Sequence, residues 1–114
     1  METVKATIDA VVCTLSASEL RERGEELRTR ILDLITTAHE TDDGYTLGFA
    51  PGSIDTVREF VAFESKCCPF MTYTIDDGSG SVTWLELSGP EGTKEFVRGW
   101  LSGRILEGID GHAR

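Results

Sequence analysis

The sequence lacks most of the short motifs by which catalytic and cofactor sites are recognised. It has no CxxC pair, no glycine loop suited to a phosphate and no Ser/His/Asp arrangement. Its two histidines, His39 and His112, stand alone, and both are expected to be solvated surface residues. No apolar run approaches the roughly 20 residues that a membrane-spanning helix needs. These absences favour no enzyme class and argue against a membrane partner.

Basic residues are also few. Eleven Lys and Arg face 20 Asp and Glu, which gives a formal charge of −9 and makes a nucleic acid a poor partner. The first ten residues, METVKATIDA, lack the basic start and apolar middle of a secretion signal, so we expect a cytoplasmic protein. Three cysteines, two of them adjacent, do not form a disulfide framework, and we expect reduced thiols.

The length and composition predict one globular domain. A chain of 114 residues with 39% hydrophobic and 27% charged residues can bury a single core. We find no internal repeat and no linker. The prediction is therefore a single α+β domain over residues 1–114, with mobile ends at 1–6 and 107–114.

Hydrophobic periodicity assigns the first part of the chain. Residues 4–14 are rich in β-branched side chains and predict an edge strand. Ser16 is a good helix cap, with Glu19 three residues later. A first helix is predicted from there, because apolar residues then recur at helical spacing: Leu20, Gly24, Leu27, Ile31, Leu34, Ile35 and Ala38.

The rest of the chain alternates strands and helices. A turn at residues 42–44 precedes a strand over 45–50, and Ser53 caps a second helix that Pro69 ends. Residues 71–87 predict a β-hairpin around an acidic loop, and a third helix carries Phe96, Val97, Trp100, Leu101 and Ile105. The order (β)αβαββα predicts a two-layer α+β fold, with helices on one face of a mainly antiparallel sheet of three to four strands.

The second helix contains the most chemically distinctive residues. Positions 54, 57, 61, 64 and 68 form one helical stripe, which places the carboxylate of Glu64 where a core residue is expected. Cys67 and Cys68 follow three and four residues later, so all three side chains can face one volume. The alternative is that Glu64 reaches water at the edge of the stripe while both cysteines act as small buried hydrophobic residues.

The local charge favours a cation over a reactive thiolate. The C-terminal end of a helix is negative, and Glu64 adds to that, which opposes deprotonation of the thiols but suits a soft metal ion such as Hg or Zn. Lys66 faces elsewhere by spacing, and the segment has no histidine to act as a base. Cys13 would complete a three-thiolate set if its strand passes the end of the second helix. The predicted metal ligands are thus Cys13, Cys67, Cys68 and Glu64.

Two segments carry a resemblance to a family of short bacterial proteins. The first contains Cys13, Leu15, Glu19, Leu20 and Arg23 in the pattern C-x-L-x-x-x-E-L-x-x-R, and the second contains Glu64, Cys67, Cys68 and Phe70 in the pattern E-x-x-C-C-x-F. The chain resembles this family from about Val12 to Leu101. The resemblance implies a thiol site that includes Cys13 and a loose association with heavy-metal resistance, without a defined activity.

Two other functions compete with metal capture. In the first, the cysteines are structural and the protein is an interaction or small-molecule-binding module, with a pocket lined by Phe60, Phe70 and Trp84. In the second, it is a thiol-dependent enzyme, which the unfavourable field and the missing base make the weaker alternative. We also expect a symmetric homodimer, because Val82 and Trp84 point away from the face that holds Leu85 and Leu87.

Overall fold

The structure, a computed structural model, describes residues 2–8, 10, 18–77 and 82–101. Within these residues the elements are β1 (Glu2–Val4), α1 (Ser18–Leu34), β2 (Ile35–Glu40), β3 (Gly44–Phe49), α2 (Ile54–Cys67), β4 (Thr72–Asp76), β5 (Thr83–Ser88) and α3 (Thr93–Leu101). The predicted cap at Ser16, Ile105 and the C-terminal stretch 107–114 lie outside the described residues. None of the helices in the described ranges has the length and apolar character needed to cross a membrane.

The strands form one antiparallel sheet in the order β1-β4-β5-β3-β2. The α+β class and the antiparallel hairpin β4–β5 are confirmed. Within the described ranges the sheet has five strands, where three to four were predicted. The N-terminal residues Glu2–Val4, which fall in the stretch expected to be mobile, pair with β4 and form one edge.

The additional strand is β2, and the prediction that its residues continue the first helix is wrong. The helix stops at Leu34, and the chain continues directly into a strand that pairs with β3. Ile35 and the two threonines after it are β-branched, which favours the extended backbone, and Thr36 donates a hydrogen bond to the Gly48 carbonyl at 3.2 Å. His39 therefore lies on an exposed edge strand and not at a helix end.

One face of the sheet carries the core. The strand side chains that point to this face are buried in one core cluster with side chains of α1, α2 and α3: Tyr45, Leu47, Phe49, Tyr73, Ile75, Leu85 and Leu87. Leu27 and Ile31 of α1, Val57 and Val61 of α2, and Val97 of α3 complete the same cluster. The two-layer arrangement with the helices on one side of the sheet is the one predicted.

The other face of the sheet is less apolar than predicted. Trp84 is on this face and is half-buried. Its ring is partly shielded from water because it lies over Gly48, where an added Cβ would come within 2.9 Å of the ring. Among the described residues, Val4 is the large hydrophobic side chain that stands exposed, at 37%. The expected apolar patch is therefore small, and the homodimer stays a prediction.

Candidate functional site

The candidate site is built around the end of α2. The helix ends at Cys67, and Cys68 leaves the helical conformation with φ −126° and ψ 71° while its N–H still donates to the Glu64 carbonyl at 2.7 Å. Pro69 causes this ending, because it disfavours the α conformation in the residue before it. The Cys68 carbonyl accepts hydrogen bonds from the buried Tyr73 hydroxyl at 3.4 Å and from the Met71 N–H at 3.4 Å. The backbone at Cys68 is thus held by Tyr73 of β4 and by Met71, which immediately precedes that strand.

Glu64 is a buried carboxylate with a single described partner. Its exposed fraction is 1%, as little as that of the surrounding core residues. Oε1 accepts a hydrogen bond from Arg28 Nη2 at 3.0 Å. The second oxygen, Oε2, is also buried and has no hydrogen-bond partner among the described residues. A buried carboxylate oxygen without a donor is costly and is uncommon in folded proteins.

Arg28 of α1 contacts both the thiol site at the end of α2 and a side chain of α3. The same Nη2 atom that donates to Glu64 lies 4.0 Å from Cys68 Sγ. The guanidinium carbon lies 5.7 Å from the ring centroid of Phe96 on α3, within the range of a cation–π contact. Phe96 in turn meets Phe70 edge to face, with ring centroids 5.1 Å apart. The site is therefore a cluster of one carboxylate, one guanidinium and one thiol, bordered by two aromatic rings.

Arg28 was not among the predicted site residues, although the sequence contains a signal for it. Gly24, Arg28, Ile31 and Ile35 follow the i, i+4, i+7 spacing of one helical face, so Arg28 lies on the apolar stripe of α1 just as Glu64 lies on that of α2. Two opposite charges on two buried stripes predict a pair. Lys66, the cation nearest to the cysteines in sequence, is exposed in the structure.

The presence of Arg28 changes the electrostatic argument. The sequence predicted a purely negative surrounding for the thiols, from the helix end and Glu64. The guanidinium offsets the charge of Glu64 and stands beside Cys68 Sγ, so a deprotonated Cys68 would have a cation close to it. The surroundings therefore tolerate a thiolate better than the sequence suggested.

Of the other three predicted ligands, Cys67 and Cys68 are described by the structure. Cys67 and Cys68 form no disulfide within the described part of the chain, and both are buried, with Cys68 at 0% exposure. Cys13 lies outside the described residues. The chain that leads toward it does pass the end of α2, because the N–H groups of Thr7 and Ile8 donate to the Pro69 carbonyl at 2.8 and 3.3 Å.

The three aromatic residues predicted to line a pocket do not lie together. Phe60 and Phe70 are buried in the core between the sheet and the helices. Trp84 lies on the opposite face of the sheet, because it alternates with the core residue Leu85 along β5. The prediction that these three side chains line one pocket is therefore wrong.

A cavity of about 320 Å³ lies away from the thiols, between the β2–β3 turn and the start of α3. Four carboxylates and Lys94 line it: Asp42, Asp43, Glu91 and Glu95 supply the acids. Across the ranges that the structure describes, no group of three or more His, Cys, Asp or Glu side chains is arranged to hold a metal ion, either here or at the thiols. A metal at the end of α2 would need a ligand from outside the described ranges or a rearranged last turn.

Comparisons with models of protein families, with curated proteins and with solved structures gave no match. The resemblance to the family with the E-x-x-C-C-x-F pattern therefore stays a prediction.

Proposed function

We propose that this protein is a small binding protein that captures a soft metal ion at the end of α2, with Cys68, Cys67 and Glu64 as ligands and Cys13 as a further thiolate. The observation that carries the proposal is the buried Oε2 of Glu64, which has no hydrogen-bond partner in the described part of the chain. A cation is the simplest group that satisfies a carboxylate oxygen next to a buried thiol.

Two features of the backbone support joint binding by the thiols. On an unbroken helix, adjacent side chains point about 100° apart, which is poor geometry for one shared ion. Cys68 has already left the helical conformation, so this restriction is relaxed. The segment 5–8 is held at Pro69, and the five residues from Ile8 to Cys13 can span at most about 18 Å, so Cys13 is within chain reach of the site.

Metal titration tests the proposal directly. We expect the reduced full-length chain to bind Cd(II), used as a spectroscopically visible soft ion, with sulfur-to-metal charge-transfer absorption. Cys68→Ser and Glu64→Gln should weaken binding, and Cys13→Ser should reveal whether the third thiolate takes part. Glu59→Gln is the matched control, since Glu59 is a half-exposed glutamate on the same helix. Equal affinity in the wild type and in a Cys67→Ser/Cys68→Ser variant would reject metal capture.

The competing proposal is that both cysteines only pack. It is favoured by their membership of the core cluster, where a thiol acts as a small hydrophobic group. In that case Cys67→Ala and Cys68→Ala should lower the free energy of unfolding without any change in metal-dependent behaviour, because the wild type would show none. The same variants therefore separate the two proposals when unfolding is measured with and without Cd(II).

A further inference from the structure

We infer that the Arg28 guanidinium is the resident cation of the thiol site and that a captured metal ion displaces it. This inference rests on the proposed function and adds a mechanism for its regulation: the protein's own side chain competes with the metal. Arg28 Nη2 already contacts two of the proposed ligand atoms at the end of α2. It lies 3.0 Å from Glu64 Oε1 and 4.0 Å from Cys68 Sγ.

The Arg28 guanidinium occupies the place where a metal ion bound by both Glu64 and Cys68 would lie, because it contacts the carboxylate and the thiol together. A metal ion shared by the same two groups would lie about 2.3 Å from sulfur and about 2.0–2.2 Å from oxygen. Arg28 Nη2 already contacts both Glu64 Oε1 and Cys68 Sγ in this buried setting, so a metal ion shared by these same two atoms would have to take its place. Two cations in contact in a buried site would also repel each other strongly.

The Arg28 side chain can move out of the site into water. Its side chain is 26% exposed, whereas that of Glu64 is 1% exposed, so the guanidinium can turn toward water while the carboxylate stays in place. When it leaves, it also leaves the face of Phe96 on α3. Loss of the Arg28 contacts is therefore a cost of metal binding, and removal of Arg28 in advance should make binding tighter.

Affinity measurements on Arg28 variants test the inference. In Arg28→Met and Arg28→Gln, we expect the dissociation constant for Cd(II) to fall about tenfold, the factor that corresponds to one charge-assisted hydrogen bond no longer broken on binding. Arg28→Gln keeps a donor for Glu64 and protects the test against poor folding of the Met variant. Arg28→Lys keeps a competing cation and should bind Cd(II) close to the wild-type affinity.

The outcomes separate this inference from the function on which it rests. Tighter binding in the Met and Gln variants, but not in the Lys variant, supports displacement of Arg28. Unchanged or weaker binding in the Met and Gln variants overturns displacement and shows that Arg28 stays beside Glu64 while the metal uses Oε2. Metal capture itself is still supported with that result if binding depends on Cys68. Absence of sulfur-to-metal absorption in the wild type and in every Arg28 variant overturns both.

Discussion

The Arg28–Glu64 pair should respond unequally to loss of its two members. Arg28→Met removes the only described partner of a carboxylate that is 1% exposed, and breaking a buried pair in this way costs about 3–5 kcal/mol. Glu64→Gln leaves behind a guanidinium whose side chain is 26% exposed and can turn to water, and the amide oxygen can still accept its hydrogen bond. We therefore expect the Gln variant to cost only about 1–2 kcal/mol.

The chain provides a matched control on the same two helices. Arg23 and Arg30 of α1 both pair with Glu59 of α2, but all three side chains are more than 40% exposed. Exposed pairs contribute about 0–1 kcal/mol, so Glu59→Gln should be nearly neutral. Comparison of Glu59→Gln with Glu64→Gln isolates the effect of burial, because residue type, helix and partner type are the same.

Urea unfolding at neutral pH, with a chelator present so that no metal contributes, measures these costs. The double variant Arg28→Met/Glu64→Gln should lose less stability than the sum of the two single variants, because it no longer contains an unpaired buried charge. The reasoning is refuted if Glu64→Gln costs as much as Arg28→Met, or if the two costs simply add.

Three further outcomes can be measured. A hydrogen bond from Lys94 lowers the pKa of Glu40 below its usual 4.5, so the stability that this carboxylate contributes is present above pH 4.5 and is lost as the pH falls through the lower folded-state pKa. Glu40→Gln should therefore flatten the acid side of a curve of thermal stability against pH, and an unchanged curve would contradict this role. Gly48→Ala should cost about 1–3 kcal/mol because its methyl group meets the Trp84 ring, and the cost should shrink in a Trp84→Leu background; equal costs in both backgrounds would show that the ring is not the obstacle. Light scattering tests the predicted homodimer, which a monomer at high protein concentration would reject.

Local signals in the sequence were sufficient for most of the fold. The residue before Pro69 could not continue a helix, and the alternation in β4 and β5 fixed which side chains face the core, so α2 and the hairpin were predicted correctly. The error at β2 has a physical origin. Ile35 and Ala38 continue a helical spacing from Leu27 and Ile31, and only pairing with β3 decides that they are extended.

The part of the site that lies within one helix could also be predicted from local signals. Glu64, Cys67 and Cys68 are related by helical spacing within one element, and the structure places them at one helix end. Arg28 is 36 residues away from Glu64 along the chain, and its contact depends on how α1 packs against α2. Spacing alone cannot supply that packing, although a charged residue on each apolar stripe was a usable indication.

The attachment of the N-terminal segment to Pro69 has a consequence for synthesis. Thr7 and Pro69 are 62 residues apart in sequence, and β1 pairs with β4 still further along the chain. A growing chain exposes its first strand long before the partner strand has been made, so this edge of the sheet closes late. Cys67 and Cys68 emerge before β4 is complete, and until then Tyr73 of β4 cannot donate to the Cys68 carbonyl. Both sulfurs are buried in the finished protein, so under the proposed function a thiophilic ion would reach them more easily during translation.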